Sequence, residues 1–185
     1  MKLLIASDLH GSRVACERVL QRFAAEGAKR LILLGDLLYH GPRNDLPEGY
    51  EPKAVCALLN ALAPAPLCVR GYCDAEIDQM VLSFPILADY MLLPLENGAC
   101  AFVNHGHLYG ADNPPPLAPG DLLIQGHTHL HGVTEQGGFP CVNPGSAALP
   151  KGGQPASYMI YEDGLFTIKA LSGDTLMTWR AGDPA

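Results

Sequence analysis

Two continuous apolar runs near the N-terminus set the frame for the whole chain. Lys2 to Ser7 and Arg30 to Leu34 are almost wholly hydrophobic, and each ends in a polar turn. Such runs suit strands of a sheet that is covered on both faces, where no position has to meet water. Between them Val14, Val19, Leu20 and Phe23 recur at helical spacing, with Ser12 placed to cap the start and Gly27 to stop the end. Strand, helix and strand in this order predict parallel neighbours joined by a right-handed crossover. In sheets of this kind ligands collect beyond the carboxyl ends of the strands. Asp8 and His10 follow the first run there, and Asp36 follows the second.

The rest of the chain reads as follows. A long loop from Leu37 to about Pro52 carries Gly41-Pro42-Arg43-Asn44. Loops of this length are uncommon unless they serve a function. A second helix is expected from about Pro52 to Ala63, then a strand at Leu67-Cys68-Val69 that ends in Arg70-Gly71-Tyr72-Cys73-Asp74. Tyr90 to Leu95 and Ala99 to Asn104 flank Asn97-Gly98, a hairpin signal, and lead into His105-Gly106-His107. A proline-rich loop precedes the strand Leu122-Leu123-Ile124 and the stretch Gly126-His127-Thr128-His129. Short strands and turns follow to Arg180. A β-α-β front and a hairpin-rich back predict two facing sheets with helices outside, in one domain over residues 1–185.

Composition narrows the function classes. Hydrophobic residues make up 48% of the chain, which argues against disorder. No apolar run approaches the ~18 residues that span a bilayer, so no membrane partner is expected. Acidic residues outnumber basic ones, 19 to 12, for a net charge of −7. A protein that tracks a nucleic-acid polymer needs a basic face, so that class is set aside. The six cysteines, Cys16, Cys56, Cys68, Cys73, Cys100 and Cys141, form no Cys-x-x-Cys pair. They read as reduced thiols of a cytoplasmic protein rather than a disulfide frame.

Metal-type side chains cluster at the strand ends: Asp8, His10, Asp36, the Tyr72-Cys73-Asp74 turn, His105, His127 and His129. One Asp after a strand is ordinarily a turn former, and one His an ordinary polar residue. Six donors in the same kind of place in one small domain are poorly explained that way. In an extended strand, residues i and i+2 share a side, so His127 and His129 are expected to face one point. Carboxylate, imidazole and water suit Mn²⁺, Fe²⁺ or Zn²⁺. Six donors exceed the need of one open ion and suit two, spaced ~3.5–4 Å apart with a shared carboxylate.

Asp-x-His, Gly-Asp, Gly-x-Cys-Asp, His-Gly-His and Gly-His-Thr-His, in this order and spacing, resemble the calcineurin-like metallophosphoesterases. The likeness is greatest to the small bacterial phosphodiesterases of the YfcE type. It extends to His40-Gly41-Pro42-Arg43-Asn44, Asn143-Pro144-Gly145-Ser146 and Lys151 to Tyr158. It implies a four-layer α/β/β/α sandwich of two facing mixed sheets. It further implies hydrolysis of a small phosphodiester by hydroxide formed on two divalent ions, Mn²⁺ foremost, with Ni²⁺, Zn²⁺, Fe²⁺ or Mg²⁺ as alternatives. The resemblance assigns Asp8, His10 and His129 to one ion, Asp36 to the bridge, and His105 and His127 to the other. A homodimer is expected on the same ground.

One position departs from the family pattern. The turn that reads Gly-Asn-Cys-Asp in relatives is Gly71-Tyr72-Cys73-Asp74 here, so Tyr72 stands where an Asn ligand is usual. Some proteins of this fold are assembly subunits with degraded sites. A non-catalytic metal-binding scaffold is therefore the alternative reading. Cys73 is a candidate proton donor to the leaving group, or else a small buried side chain. Asp74 is expected to orient an imidazole or cap the turn. Arg43 and Asn44 are expected near the site, His40 behind it, and His107 and His131 outside the ligand set. Asn143 to Ser146 is expected to shape the site wall.

Overall fold

A computed structural model describes residues 1–183. The first strand, β1 (Leu3–Ala6), pairs in parallel with β2 (Arg30–Leu33), and the helix α1 (Arg13–Ala25) connects them. The expected β-α-β opening is present. Strand β3 (Leu67–Cys68) continues the parallel set beside β2, after the helix α2 (Pro52–Asn60). Three C-terminal strands complete this sheet: β9 (Ser157–Glu162), β10 (Leu165–Ala170) and β11 (Thr175–Arg180). Its order is β11-β10-β9-β1-β2-β3, so β1 is flanked by β2 on one side and by β9, antiparallel, on the other.

The second sheet has five strands. Strands β4 (Tyr90–Pro94) and β5 (Cys100–Asn104) form the hairpin around Asn97-Gly98, followed by β6 (Leu122–Ile124), β7 (His131–Gln136) and β8 (Phe139–Pro144). Their order is β4-β5-β6-β8-β7. The β5-β6 and β6-β8 pairs are parallel, so both sheets are mixed.

Strand periodicity divides the core. On β1, Leu3 and Ile5 face the second sheet and pack with Val103, Ile124, Val142, Phe166 and Trp179. Leu4 and Ala6 face the other way, onto Cys16 and Val19 of α1 and Val55 and Leu59 of α2. Alternation with period two is why β1 reads as one unbroken apolar run: both of its faces are buried.

One element is additional to those expected, and one sheet face is covered differently from the other. A short third helix, α3 (Glu76–Val81), lies beside α2, with Cys56 Sγ and Asn60 Nδ2 both bonded to the Val81 carbonyl. It has no buried residue: Ile77, Met80 and Val81 recur at helical spacing, but over six residues only, and all three stay exposed. Among the described residues all three helices lie on the six-stranded side, and the outer face of the five-stranded sheet is covered by the loop bearing Tyr109 and Leu117. That face buries only Phe102, Leu123 and Cys141, which two loop side chains suffice to cover.

Glu26, at the end of α1, ties the helix to the sheet. Tyr158 Oη donates to it at 2.7 Å, and the Lys169 ammonium lies against the same oxygen. Burial disfavours its charge, but these two partners outweigh burial and lower its pKa below the ordinary 4.5. A lowered carboxyl pKa adds stability above pH 4.5 that is lost as pH falls through the folded value. Glu26→Gln is expected to cost about 1–2 kcal/mol at pH 7, as the loss of a charged hydrogen bond does. In urea titrations its difference from wild type should shrink below pH 4.5, and a constant difference would exclude this linkage.

Candidate metal centre

The strand ends of both sheets meet at one edge of the interface. Backbone bonds lace them together: Asp8 N–H donates to the Gly35 carbonyl, His10 N–H to Asp36, and Gly126 N–H to His105. Ala147 N–H and Ser146 Oγ reach Ser7 and Asp8 from the end of β8. Asn143 Nδ2 donates to the Gly126 carbonyl and to Thr128 Oγ1, so the Asn143 to Ser146 turn does form the wall behind the site.

His127 and His129 occupy this site by a different route from the extended strand expected. Their φ angles are 64° and 61°, in the left-handed region. The chain coils after β6 and sends the two rings to opposite halves of the centre. His127 Nδ1 lies 3.2 Å from His105 Nε2, and His129 Nε2 lies 3.2 Å from His10 Nε2. Asp8, His10 and Asp36 are also left-handed, at 59°, 45° and 54°. Asp and His tolerate this region better than most residues, but each such position costs on the order of 1–3 kcal/mol.

The tautomers follow from the carbonyls around the rings. A carbonyl only accepts, so the ring nitrogen facing it carries the proton. His10 Nδ1 donates to Tyr39 at 2.9 Å, His105 Nδ1 to Leu34 at 2.7 Å, and His129 Nδ1 to Leu149 at 2.6 Å. Each ring therefore turns its Nε2 lone pair inward, the ordinary arrangement for a metal-binding imidazole. Asp36 Oδ2 lies 3.6 Å from His10 Nε2 and 3.5 Å from His105 Nε2, between the two halves. Asp8 Oδ1 is buried without a hydrogen bond, 3.3 Å from His129 Nε2 and 3.6 Å from His10 Nε2.

These groups fit divalent cations. Asp8, His10 and His129 bring donor atoms within 4.8 Å of one another, as do Asp8, Asp36 and His105. The first trio comprises the residues that the resemblance assigns to one ion. In the second, Asp8 joins Asp36 and His105, while His127 adjoins through its contact with His105. Burial opposes ionisation of Asp8 and Asp36, but His10 and His129 beside Asp8, and His105 beside Asp36, hold both carboxyls below the usual range. Burial likewise opposes a charged His105, yet Asp36 and Asp8 raise it to about 9.

Asp74 caps the turn, the second of the two roles expected of it. Its buried carboxylate accepts from three backbone amides: Asp36 and Leu37 at 2.9 Å, and Gly71 at 2.7 Å. It fixes the turn that carries Asp36. Burial raises its pKa to about 6. Cys73 donates its backbone N–H to Asp36 Oδ1 at 2.7 Å, and its Sγ lies among the donors of His10 and Asp36. Burial, and then the charge of Asp36, push its thiol up to about 12.

A cleft of about 500 Å³ opens over these groups, walled by Arg43, Asn44, Tyr72, Cys73, Thr128 and Lys151. Tyr72 is 59% exposed at its rim, edge-on to His107 and His127. His40 stays behind the site between Tyr39 and Tyr50, and His107 stands beside His105 outside the donor groups. Lys151 was not singled out from the sequence. It entered there only as the first residue of the stretch Lys151 to Tyr158.

Buried carboxylates and inward imidazoles under an open cleft, at the joint of two mixed sheets, define a metallohydrolase-type centre. Residues 1–163 match the calcineurin-like phosphoesterase superfamily domain, and the chain belongs to that superfamily. Phosphodiesterase YfcE of Escherichia coli K12 is 47% identical over 184 residues, covering the full length of both chains. A solved structure of YfcE, a phosphoesterase from E. coli, superposes with a TM-score of 0.92 at 46% identity, covering 98% of this chain and 100% of that one. Vacuolar Protein Sorting 29 from Cryptosporidium parvum shares the fold alone, at 17% identity with a TM-score of 0.61 and 97% of each chain covered.

Gly71 lets the turn approach Asp36. A Cβ there would fall 2.1 Å from the Asp36 amide nitrogen and 2.3 Å from its Oδ1. Backbone cannot yield as a flexible side chain would. Gly71→Ala should therefore cost about 3 kcal/mol or more, within the range of the larger single-site effects. It should also lower bound metal per chain measured by atomic emission. A variant with wild-type stability and metal content would refute this account of the turn.

Proposed function

We infer that the protein is a metal-dependent phosphodiesterase acting on small phosphodiesters, with Asp8, His10, Asp36, His105, His127 and His129 holding two divalent ions. The observation that carries this reading is the set of inward Nε2 lone pairs around two buried carboxylates, beneath a cleft wide enough for a small ester. Manganese suits a donor set of imidazole and carboxylate without an ionised thiol. When bound, such ions supply Lewis-acid charge for phosphoryl oxygens and acidify water near neutral pH.

The chain's own residues prepare the rest. Asp36 bridges the two halves, and Asp74 keeps it there through backbone amides. Arg43 and Lys151 set positive charge at the rim of an acidic protein, where an anionic diester would arrive. The full donor set weighs against the scaffold alternative that Tyr72 raises. Six cysteines without a disulfide fit a cytoplasmic protein, and the exposed Ile77, Met80 and Val81 of α3 offer a face for a homodimer.

Asp36→Asn tests the function directly, since an amide neither bridges two cations well nor offsets their charge. It should lower hydrolysis of bis-p-nitrophenyl phosphate in Mn²⁺ by ~10²-fold or more, the scale of removing one electrostatic stabiliser from a site. It should also lower the bound metal. Activity and metal content within a few-fold of wild type would defeat the binuclear reading.

Cys73 is the side chain nearest a proton-donor role, and a thiol raised to about 12 donates poorly. Aryl oxides leave without a proton, whereas alkoxides need one, and general-acid help is worth ~10²–10⁴-fold. Nitrophenyl diesters should turn over well and dialkyl diesters poorly. Equal rates would point to an acid elsewhere in the cleft.

A further inference from the structure

The position that departs from the family pattern puts an aromatic ring at the mouth of the cleft. Tyr72 is 59% exposed, yet its ring is held. His107 and His127 meet it edge-on, with centroids 5.7 and 5.9 Å away and planes at 65° and 63°. The Arg43 guanidinium lies over the ring, 5.9 Å from its centroid. Arg43 makes no salt bridge or hydrogen bond among the described residues, so the ring is its one partner. An upright ring with a planar cation over it, both facing solvent inside a ligand cleft, is a surface on which a flat group can stack.

Its position limits what that group can be. Tyr72 directly precedes Cys73, whose Sγ lies within 4.8 Å of the donor atoms of His10 and Asp36. The Tyr72 ring itself adjoins the His127 ring, so a group stacked on it would lie beside the donor cluster. Where an Asn would offer a carboxamide to an ion, this chain offers a π-face to the substrate. We propose that Tyr72 and Arg43 form a stacking platform for a flat aromatic substituent of the diester. The cleft then selects aryl or nucleoside diesters over alkyl ones. The proposal rests on the phosphodiesterase reading and adds the class of substrate.

The test holds the leaving group constant. Methyl, phenyl and thymidine-5′ diesters of p-nitrophenol all release the same p-nitrophenolate. The kcat/KM of the phenyl and thymidine esters is divided by that of the methyl ester, at saturating Mn²⁺. Metal occupancy and leaving-group chemistry then cancel within each enzyme. Wild type should prefer the aromatic esters, and Tyr72→Phe should keep the preference. Tyr72→Leu should reduce it roughly tenfold, as loss of one stacking ring does. Arg43→Ala should reduce it by a smaller factor. The phenyl and thymidine arms separate an aryl platform from a nucleobase platform.

No aromatic preference in wild type, or an unchanged preference in Tyr72→Leu, would overturn the proposal. Calorimetric binding of phenylphosphonate and methylphosphonate to wild type and Tyr72→Leu decides it without turnover. If wild type hydrolyses none of the three diesters, the phosphodiesterase reading fails, and the phosphonate pair still judges the platform. Equal binding of the two phosphonates would then reject the platform as well.

Discussion

Three backbone carbonyls, those of Leu34, Tyr39 and Leu149, each accept a hydrogen bond from the Nδ1–H of an imidazole. That leaves three Nε2 lone pairs directed into one buried space, already shared by Asp8 and Asp36. Lone pairs 3.2 Å apart repel unless a cation stands between them. A proton can stand there, and Asp8 and Asp36 favour it: against burial they raise the pKa of His10 and His105. A divalent ion does the same with more charge. The cation requirement is thus built into the backbone, since those carbonyls belong to the ends and loops of the first sheet and to the turn after β8.

The same geometry is costly to hold. Five of the six donor residues lie at positive φ, and His105 is the exception. At on the order of 1–3 kcal/mol each, their combined strain rivals the whole net stability of an ordinary domain. The surrounding structure offsets it with a dense inter-sheet core and with fixed hydrogen bonds. Asp74 clamps three amides around Asp36, and Ser146 holds the Asp8 carbonyl. These residues touch no substrate, yet they keep the donors aimed.

Much of this was legible in the sequence, for identifiable reasons. The apolar runs of β1 and β2 predict a doubly covered parallel pair, and strand-end chemistry places Asp8, His10, Asp36, His105, His127 and His129 together. Identities were readable where conformations were not. Period two suggests that His127 and His129 share a side, whereas a left-handed coil sends them to separate halves. Nothing in residue spacing reports φ, although the adjoining Gly35 and Gly126 hint at tight turns. Two roles were open for Asp74, and the sequence could not choose between them because backbone amides have no sequence signature. Helix α3 was missed because its apolar spacing, Ile77, Met80 and Val81, lasts barely more than one turn.

The order of the strands carries a consequence for how the chain is made. Strand β1 lies inside its sheet, between β2 and β9, but β9 begins only at Ser157. During synthesis β1 and β2 can pair early, while the far edge of β1 stays open until more than a hundred further residues have emerged. Open strand edges invite pairing with other chains. The donors span a similar stretch, from Asp8 to His129, so no complete site exists to recruit an ion before then. Metal therefore cannot serve as an early folding nucleus for the nascent chain. It arrives as the latch on a structure that long-range pairing has already had to close, and contacts of such sequence separation make for slow closure.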